Sequence, residues 1–471
     1  MAFSGDGIHH PVIAQNLYRL ESGRLEQLGQ SWIKHAFASA TEDLCCNCQP
    51  PGDSLVIGVG CADTYGACQN GVQGTINFGG LDVSGLGPRS DVNPTTGAFP
   101  WPYTTFNLSG NVIYKRLQVP TADLDPSLHP GARYFAEVQY VGPDEGGVGL
   151  THNNSSYREV AIGIFDGVLW PLVTIGSTFD TSPAIQAWQD QDPGVTIVTV
   201  DDAAGGRYYV ASRATDNGDG TWSYEYALYN QNSNLPARSF RFPREAGITL
   251  TAVGFHDVNS HSGEAFDSTD WTSDTSGAQV SWSSAPGAGA NVLRWGTMYS
   301  FWLTADRAPA PGQVTLDLSG GAAALDVTGI DLPCGAFTYC EAVPHSAGGP
   351  ASIGWTGSTS FVANSFGLTS TDAIPGGSGL FFYGQNKIQA AFGDGFRCAG
   401  GMTFRLNPPV SADGAGVAMR ALDFTLPPLA SGNGAVLPGS TWNFQHWFRD
   451  TMGVGGSGFN LSDGLSVTFC P

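Results

Sequence analysis

Arg207-Tyr-Tyr-Val-Ala-Ser-Arg-Ala-Thr-Asp-Asn-Gly-Asp-Gly-Thr-Trp-Ser-Tyr-Glu-Tyr-Ala-Leu-Tyr-Asn230 decides the fold class. Two runs rich in Tyr, Val and Trp flank Asp216-Asn-Gly-Asp-Gly220. Aromatic and β-branched residues suit a pleated, half-buried strand, and the Asn/Asp/Gly cluster supplies the positive-φ positions of a hairpin turn. The same five residues resemble a calcium loop. They miss the EF-hand pattern, because Gly220 stands at position five and no Glu at position twelve, so they read as a turn.

The pattern repeats on both sides. Tyr134-Phe-Ala-Glu-Val-Gln-Tyr-Val141 alternates and reads as a strand. Ala161 to Trp170 reads as strand–turn–strand about Asp166-Gly167. Ile13, Leu17 and Leu20 have helical spacing, but Glu21-Ser22-Gly23 between two short Leu/Tyr runs favours a hairpin. Ser182-Pro183-Ala-Ile-Gln-Ala-Trp-Gln189 is the best short helix, with Ser182 as N-cap and Pro183 at the first helical position. Strand signals at 8–12-residue spacing predict an all-β protein of β-sandwich modules. A larger N-terminal β region spans 1–305, as one sandwich or two packed together. A junction with a short β stretch follows at 306–332, and a C-terminal β-sandwich at 333–471.

Composition agrees. The 471 residues include 64 Gly and 29 Pro, and only 13% are charged, about half the usual ~25%. The 41 acidic against 20 basic residues give a net charge of −21. Coiled coils and long-helix proteins are excluded. The only lysines are Lys34, Lys115 and Lys387, so no basic face for nucleic acid is expected. No apolar run approaches the ~18 residues of a membrane span. A P-loop, a dinucleotide fingerprint, a G-x-S-x-G elbow and an H-E-x-x-H motif are all missing, so no nucleotide cofactor is expected.

Nine cysteines fall in two clusters, Cys45, Cys46, Cys48, Cys61 and Cys68, then Cys334, Cys340, Cys398 and Cys470. Their grouping and the scarcity of Lys point to disulfides in an oxidising, extracellular or cell-surface setting. The C-x-x-C of Cys45 and Cys48 with Cys61 and Cys68 does not match a standard zinc spacing. Met1-Ala-Phe-Ser4 lacks the basic and apolar regions of a secretory signal, so the chain is read as a mature or trimmed form.

The nine histidines carry the sharpest chemical suggestion. Phe255-His256-Asp257-Val-Asn-Ser-His261-Ser-Gly-Glu264 follows a β run, where a rigid strand aims the first ligand and a loop brings round the rest. Two imidazoles beside carboxylates suit copper first and zinc second, with Asp257 or Glu264 holding a tautomer or exchanging a proton. The competing reading makes His256 a buried, hydrogen-bonded strand residue and the others turn decoration. Packing of the N-terminal hairpin on the 250–265 loop would add His10 and His35 as ligands.

Glycine-rich and aromatic segments of this chain resemble uncharacterised secreted bacterial β proteins. The matching C-terminal residues are Gly379-Leu-Phe-Phe-Tyr-Gly384, Trp442-Asn-Phe-Gln-His-Trp-Phe-Arg-Asp450 and Asn460-Leu-Ser-Asp-Gly-Leu-Ser-Val-Thr-Phe-Cys-Pro471. Asp216 to Asn230, Gly254 to Glu264 and Leu293-Arg-Trp-Gly-Thr-Met-Tyr299 match in the middle. The resemblance implies secretion and β architecture and assigns no activity. Two functions follow as expectations. One is a metal-dependent oxidoreductase or hydrolase acting on an extracellular small molecule or polysaccharide. The other is a non-catalytic surface, matrix, glycan-binding or self-assembling protein.

Overall fold

The structure is a computed structural model. It describes residues 9–36, 47–52, 56, 58, 59, 61, 86–104, 115 and 117–469, less 147, 168, 169, 245–247, 261–263, 278, 288, 308, 334, 358, 360, 362, 363, 438 and 439. The fold is all-β, and the described residues form five antiparallel sheets.

Seven strands make the first sheet: β1 (Val12–Glu21), β2 (Arg24–Gln30), β3 (Ile33–His35), β4 (Leu86–Gly87), β5 (Arg133–Val141), β6 (Ser155–Ile162) and β7 (Leu172–Thr174). Their order is β4-β3-β1-β5-β6-β7, with β2 on the free part of β1. The β1–β2 hairpin turns at Ser22 and Gly23, whose φ values of 51° and 83° fit the two-residue turn that needs positive φ twice. The helical spacing of Ile13, Leu17 and Leu20 misleads because β1 is buried on both faces from Val12 to Arg19.

The next strands are β8 (Thr196–Asp201), β9 (Arg207–Asp216), β10 (Trp222–Asn230), β11 (Ala237–Pro243), β12 (Leu250–His256), β13 (Thr272–Asp274), β14 (Gln279–Ser283), β15 (Thr297–Ala305), β16 (Pro309–Leu318) and β17 (Leu325–Pro333). They form a second sheet, β12-β15-β10-β9-β8, and a third, β13-β14-β11-β16-β17. The β9–β10 hairpin closes with Asp216 opposite Trp222. Its two-residue periodicity builds the whole region. Tyr224, Tyr226 and Leu228 pack with Phe240, Trp282 and Phe301 on one side. Ala227 and Tyr229 pack with Tyr18, Phe135 and Trp188 on the other. The second sheet is thus the shared middle layer of a three-layer stack. Residues 309–333, within the segment read as a junction and beginning of the next module, supply two strands of the third sheet.

The predicted helix runs Gln186–Gln191. Ser182 does not cap it, because its hydroxyl donates back to the Asp180 carbonyl at 3.1 Å. A tight turn, with Gln186 N–H donating to the Pro183 carbonyl, comes first.

The C-terminal strands are β18 (Ala336–Tyr339), β19 (Ser352–Thr356), β20 (Gly367–Thr371), β21 (Ser378–Phe392), β22 (Gly395–Arg405), β23 (Val410–Ser411), β24 (Ala418–Ala421), β25 (Thr441–Asp450) and β26 (Gly458–Thr468). A six-stranded sheet, β18-β26-β25-β21-β22 with β23 on β21, faces the three-stranded β19-β20-β24. Phe381, Tyr383, Phe444 and Leu465 from the first meet Ile353, Leu368 and Ala418 from the second in one core. Disulfides join Cys48 to Cys61 and Cys340 to Cys398. The other five cysteines lie outside the described residues.

Candidate functional site

His256 ends β12, as its sequence context predicts. A register irregularity between Thr251 and Gly254 precedes it. A Cβ at Gly254 would stand 2.1 Å from the Trp302 ring, so only glycine lets the strand lie this close. The His256 Nε2–H donates to the Gln27 carbonyl on β2 at 3.1 Å. Gln30 Nε2–H of the same strand donates to the Asn259 carbonyl at 3.2 Å. The N-terminal hairpin therefore does pack on this loop. Asp257 accepts from the Asn291 side-chain amide. Burial raises its pKa, and the Asn291 hydrogen bond opposes the rise. Glu264 accepts the Ser90 backbone N–H at 2.9 Å. His261 lies outside the described residues.

His10 and His35 do meet. His10 Nε2 and His35 Nδ1 are 2.7 Å apart and buried. The β1–β3 pairing of Val12 with His35 brings them together. Phe99 lies 4.9 Å from His10, and Tyr103 stacks on His35 at 5.1 Å. Burial, aided by His10, pushes the His35 pKa down to about 3, so this imidazole is neutral at pH 7.

The two loci stay apart, which corrects the expected convergence of His10 and His35 with His256. His256 meets β2 at Gln27, whose partner on β1 is Tyr18, whereas His35 pairs with Val12. Six residues of strand at ~3.4 Å each separate these positions by roughly 20 Å. Among the described residues, no group of three or more His, Cys, Asp or Glu stands where it would hold a metal ion. Cys48 and Cys61 are bonded to each other, so neither offers a thiolate to zinc.

The sequence reading missed a buried polar network between the first and second sheets. Glu137 on β5 is fully buried. It accepts from Asn16 Nδ2 at 2.8 Å, Tyr229 Oη at 3.0 Å, Tyr18 Oη at 3.2 Å and the Ala184 backbone at 2.6 Å. Burial raises its pKa and these four donors pull it back. Arg89 is buried too, and donates to the carbonyls of Ser31, Gln15 and Gly296 and to Asn16 Oδ1. Asn16 thus bridges a buried cation and a buried anion. Phe135, Glu137 and Gln139 share one strand parity, and Phe135 faces the core, so this inward charge was discernible in the alternation.

Beside Arg89 opens a cleft of about 190 Å³, lined by Ser90, Glu264, Phe266, Arg294 and Trp295 among others. It holds Glu264 from the predicted set, together with two arginines that the sequence reading had not singled out. No family model and no curated protein matches the chain. Among solved structures, the full-length major pilin SpaD from Corynebacterium diphtheriae is similar over 72% of this chain and 73% of its own, at 10% identity and a TM-score of 0.19.

Proposed function

We propose that this chain is an exported β protein that acts by binding or assembly rather than by catalysis. One observation carries the reading: side chains suited to ligation or proton transfer are engaged as braces between elements. His256 holds β2, Asp257 holds Asn291, and Glu137 is occupied by four donors. The two disulfides support export to an oxidising compartment. A net charge of −21 favours solubility outside the cell.

The His10–His35 contact is what favours the rival reading, a copper or zinc protein. Its 2.7 Å is a hydrogen-bond length, shorter than the span of two ~2.0–2.1 Å bonds meeting at a tetrahedral ion. Elemental analysis decides between them. The purified protein is expected to hold far less than one metal ion per chain, as are its His10→Ala/His35→Ala and His256→Ala/His261→Ala variants. Stoichiometric copper or zinc that either double variant loses would establish the metalloprotein instead.

A further inference from the structure

The cleft beside Arg89 is smaller than the ~300–1,000 Å³ of sites for drug-sized ligands, so it suits one small unit. Its chemistry is set by two fixed side chains. Glu264 is half-buried and has one carboxylate oxygen anchored on the Ser90 N–H. Its other oxygen, Oε2, accepts no hydrogen bond among the described residues. Arg294 sits over the Phe266 ring, its Cζ 3.5 Å from the ring centre. It donates to the Ala290 carbonyl at 2.9 Å and the Val292 carbonyl at 3.4 Å. A guanidinium has five N–H groups, and these two bonds engage two of them.

An acceptor-only group and a donor-only group line the same small space. An anionic guest would meet Glu264, and a cationic guest would meet Arg294 and Arg89. A neutral guest with donors and acceptors on adjacent atoms satisfies both walls, and vicinal hydroxyls have that character. Exposed Asn234 and half-buried Ser260 add neutral polar groups, while buried Trp295 offers apolar surface to C–H groups. We propose that this cleft holds one neutral sugar unit of an extracellular polysaccharide, Glu264 accepting from one hydroxyl and Arg294 donating to its neighbour. The proposal rests on the binding reading above and gives it a ligand class.

Ligand-observed saturation-transfer NMR on the full chain tests it. The probes are glucose, galactose, mannose and N-acetylglucosamine at millimolar concentration. Glycine and alanine form a second arm, since a zwitterion could put its ammonium on Glu264 and its carboxylate on Arg294. At least one sugar is expected to give a signal and neither amino acid should. Glu264→Gln keeps the oxygen that Ser90 uses and should weaken sugar binding about tenfold, the loss of one charge-assisted hydrogen bond. Asn234→Ala should weaken it less. Arg294 also braces two carbonyls, so Glu264→Gln and Asn234→Ala decide the matter if Arg294→Gln unfolds. Silence from all four sugars, amino-acid binding instead, or undiminished sugar binding by Glu264→Gln would overturn the proposal. Stoichiometric metal would sink the non-catalytic reading and leave the sugar result standing, so the two failures are distinguishable.

Discussion

The interface between the first two sheets and the interior of the C-terminal sandwich solve the same packing problem with different materials. Between the sheets, Glu137, Arg89, Asn16 and Gln27 join layers that also share Tyr18, Trp188 and Tyr229. In the C-terminal sandwich, Phe381, Tyr383, Phe444, Phe448 and Leu465 fill the space. His446 is one of several buried polar residues of this module, with Ser370, Gln445 and Asp450. It stacks on Phe381 at 4.5 Å, and neither ring nitrogen has a hydrogen-bond partner among the described residues. Apolar packing tolerates sliding, whereas a satisfied polar network accepts one arrangement. Burying charge is a poor route to stability, so we read the network as a device that fixes how the first sheet sits on the second.

The largest effect should come from breaking that network. Glu137→Ala strands Arg89 and several donors, and should lower unfolding free energy by ~3–5 kcal/mol. Urea denaturation of Glu137→Leu, Arg89→Met and the double variant should show a coupling of ~1–3 kcal/mol. Additive single effects would mean that Asn16 does not link the two charges.

A smaller effect of opposite sign is expected in the C-terminal sandwich. His446→Leu removes two unsatisfied nitrogens and should raise stability by about 1 kcal/mol. Burial pushes the His446 pKa down to about 3. The unfolded chain therefore binds the proton more readily, and the wild type should lose stability as pH falls from ~6.5 towards 3. Loss of stability in His446→Leu would show that the imidazole serves a contact.

The smallest test concerns Glu145, at the edge of the N-terminal stack. Burial pushes its pKa up to about 7 from the usual 4.5. The folded state then holds this proton more tightly than the unfolded state. The contribution is complete below about pH 4.5 and is lost as pH rises towards 7. Glu145→Gln should flatten that part of a thermal-melting profile against pH, and an unchanged profile would contradict the assignment.

Much of the architecture was legible because it is local. The turns at Ser22-Gly23 and Asp216 to Gly220, and the alternation of Tyr224, Tyr226 and Leu228, act over a few residues. The stacking of three layers was less legible, since it depends on which strand faces are covered. The site was the least legible part. Gly-Pro-Arg89-Ser looks like any exposed turn, yet Arg89 contacts Gly296 across 207 residues. His256 resembled a ligand because sequence cannot reveal a backbone carbonyl waiting 229 residues away.

The join between β2 and β15 governs when the molecule can be finished. Gln27 Oε1 accepts from Met298 N–H, and the Leu25 carbonyl accepts from Ser300 Oγ–H, across separations of 271 and 275 residues. During synthesis at ~5–20 residues per second, β2 waits roughly 15–55 s for these partners. The first sheet made is thus among the last to be covered. A chain cut short before Met298 would keep Tyr18 and Leu25 without that lid. This topology couples the earliest translated strands to completion of the middle sheet.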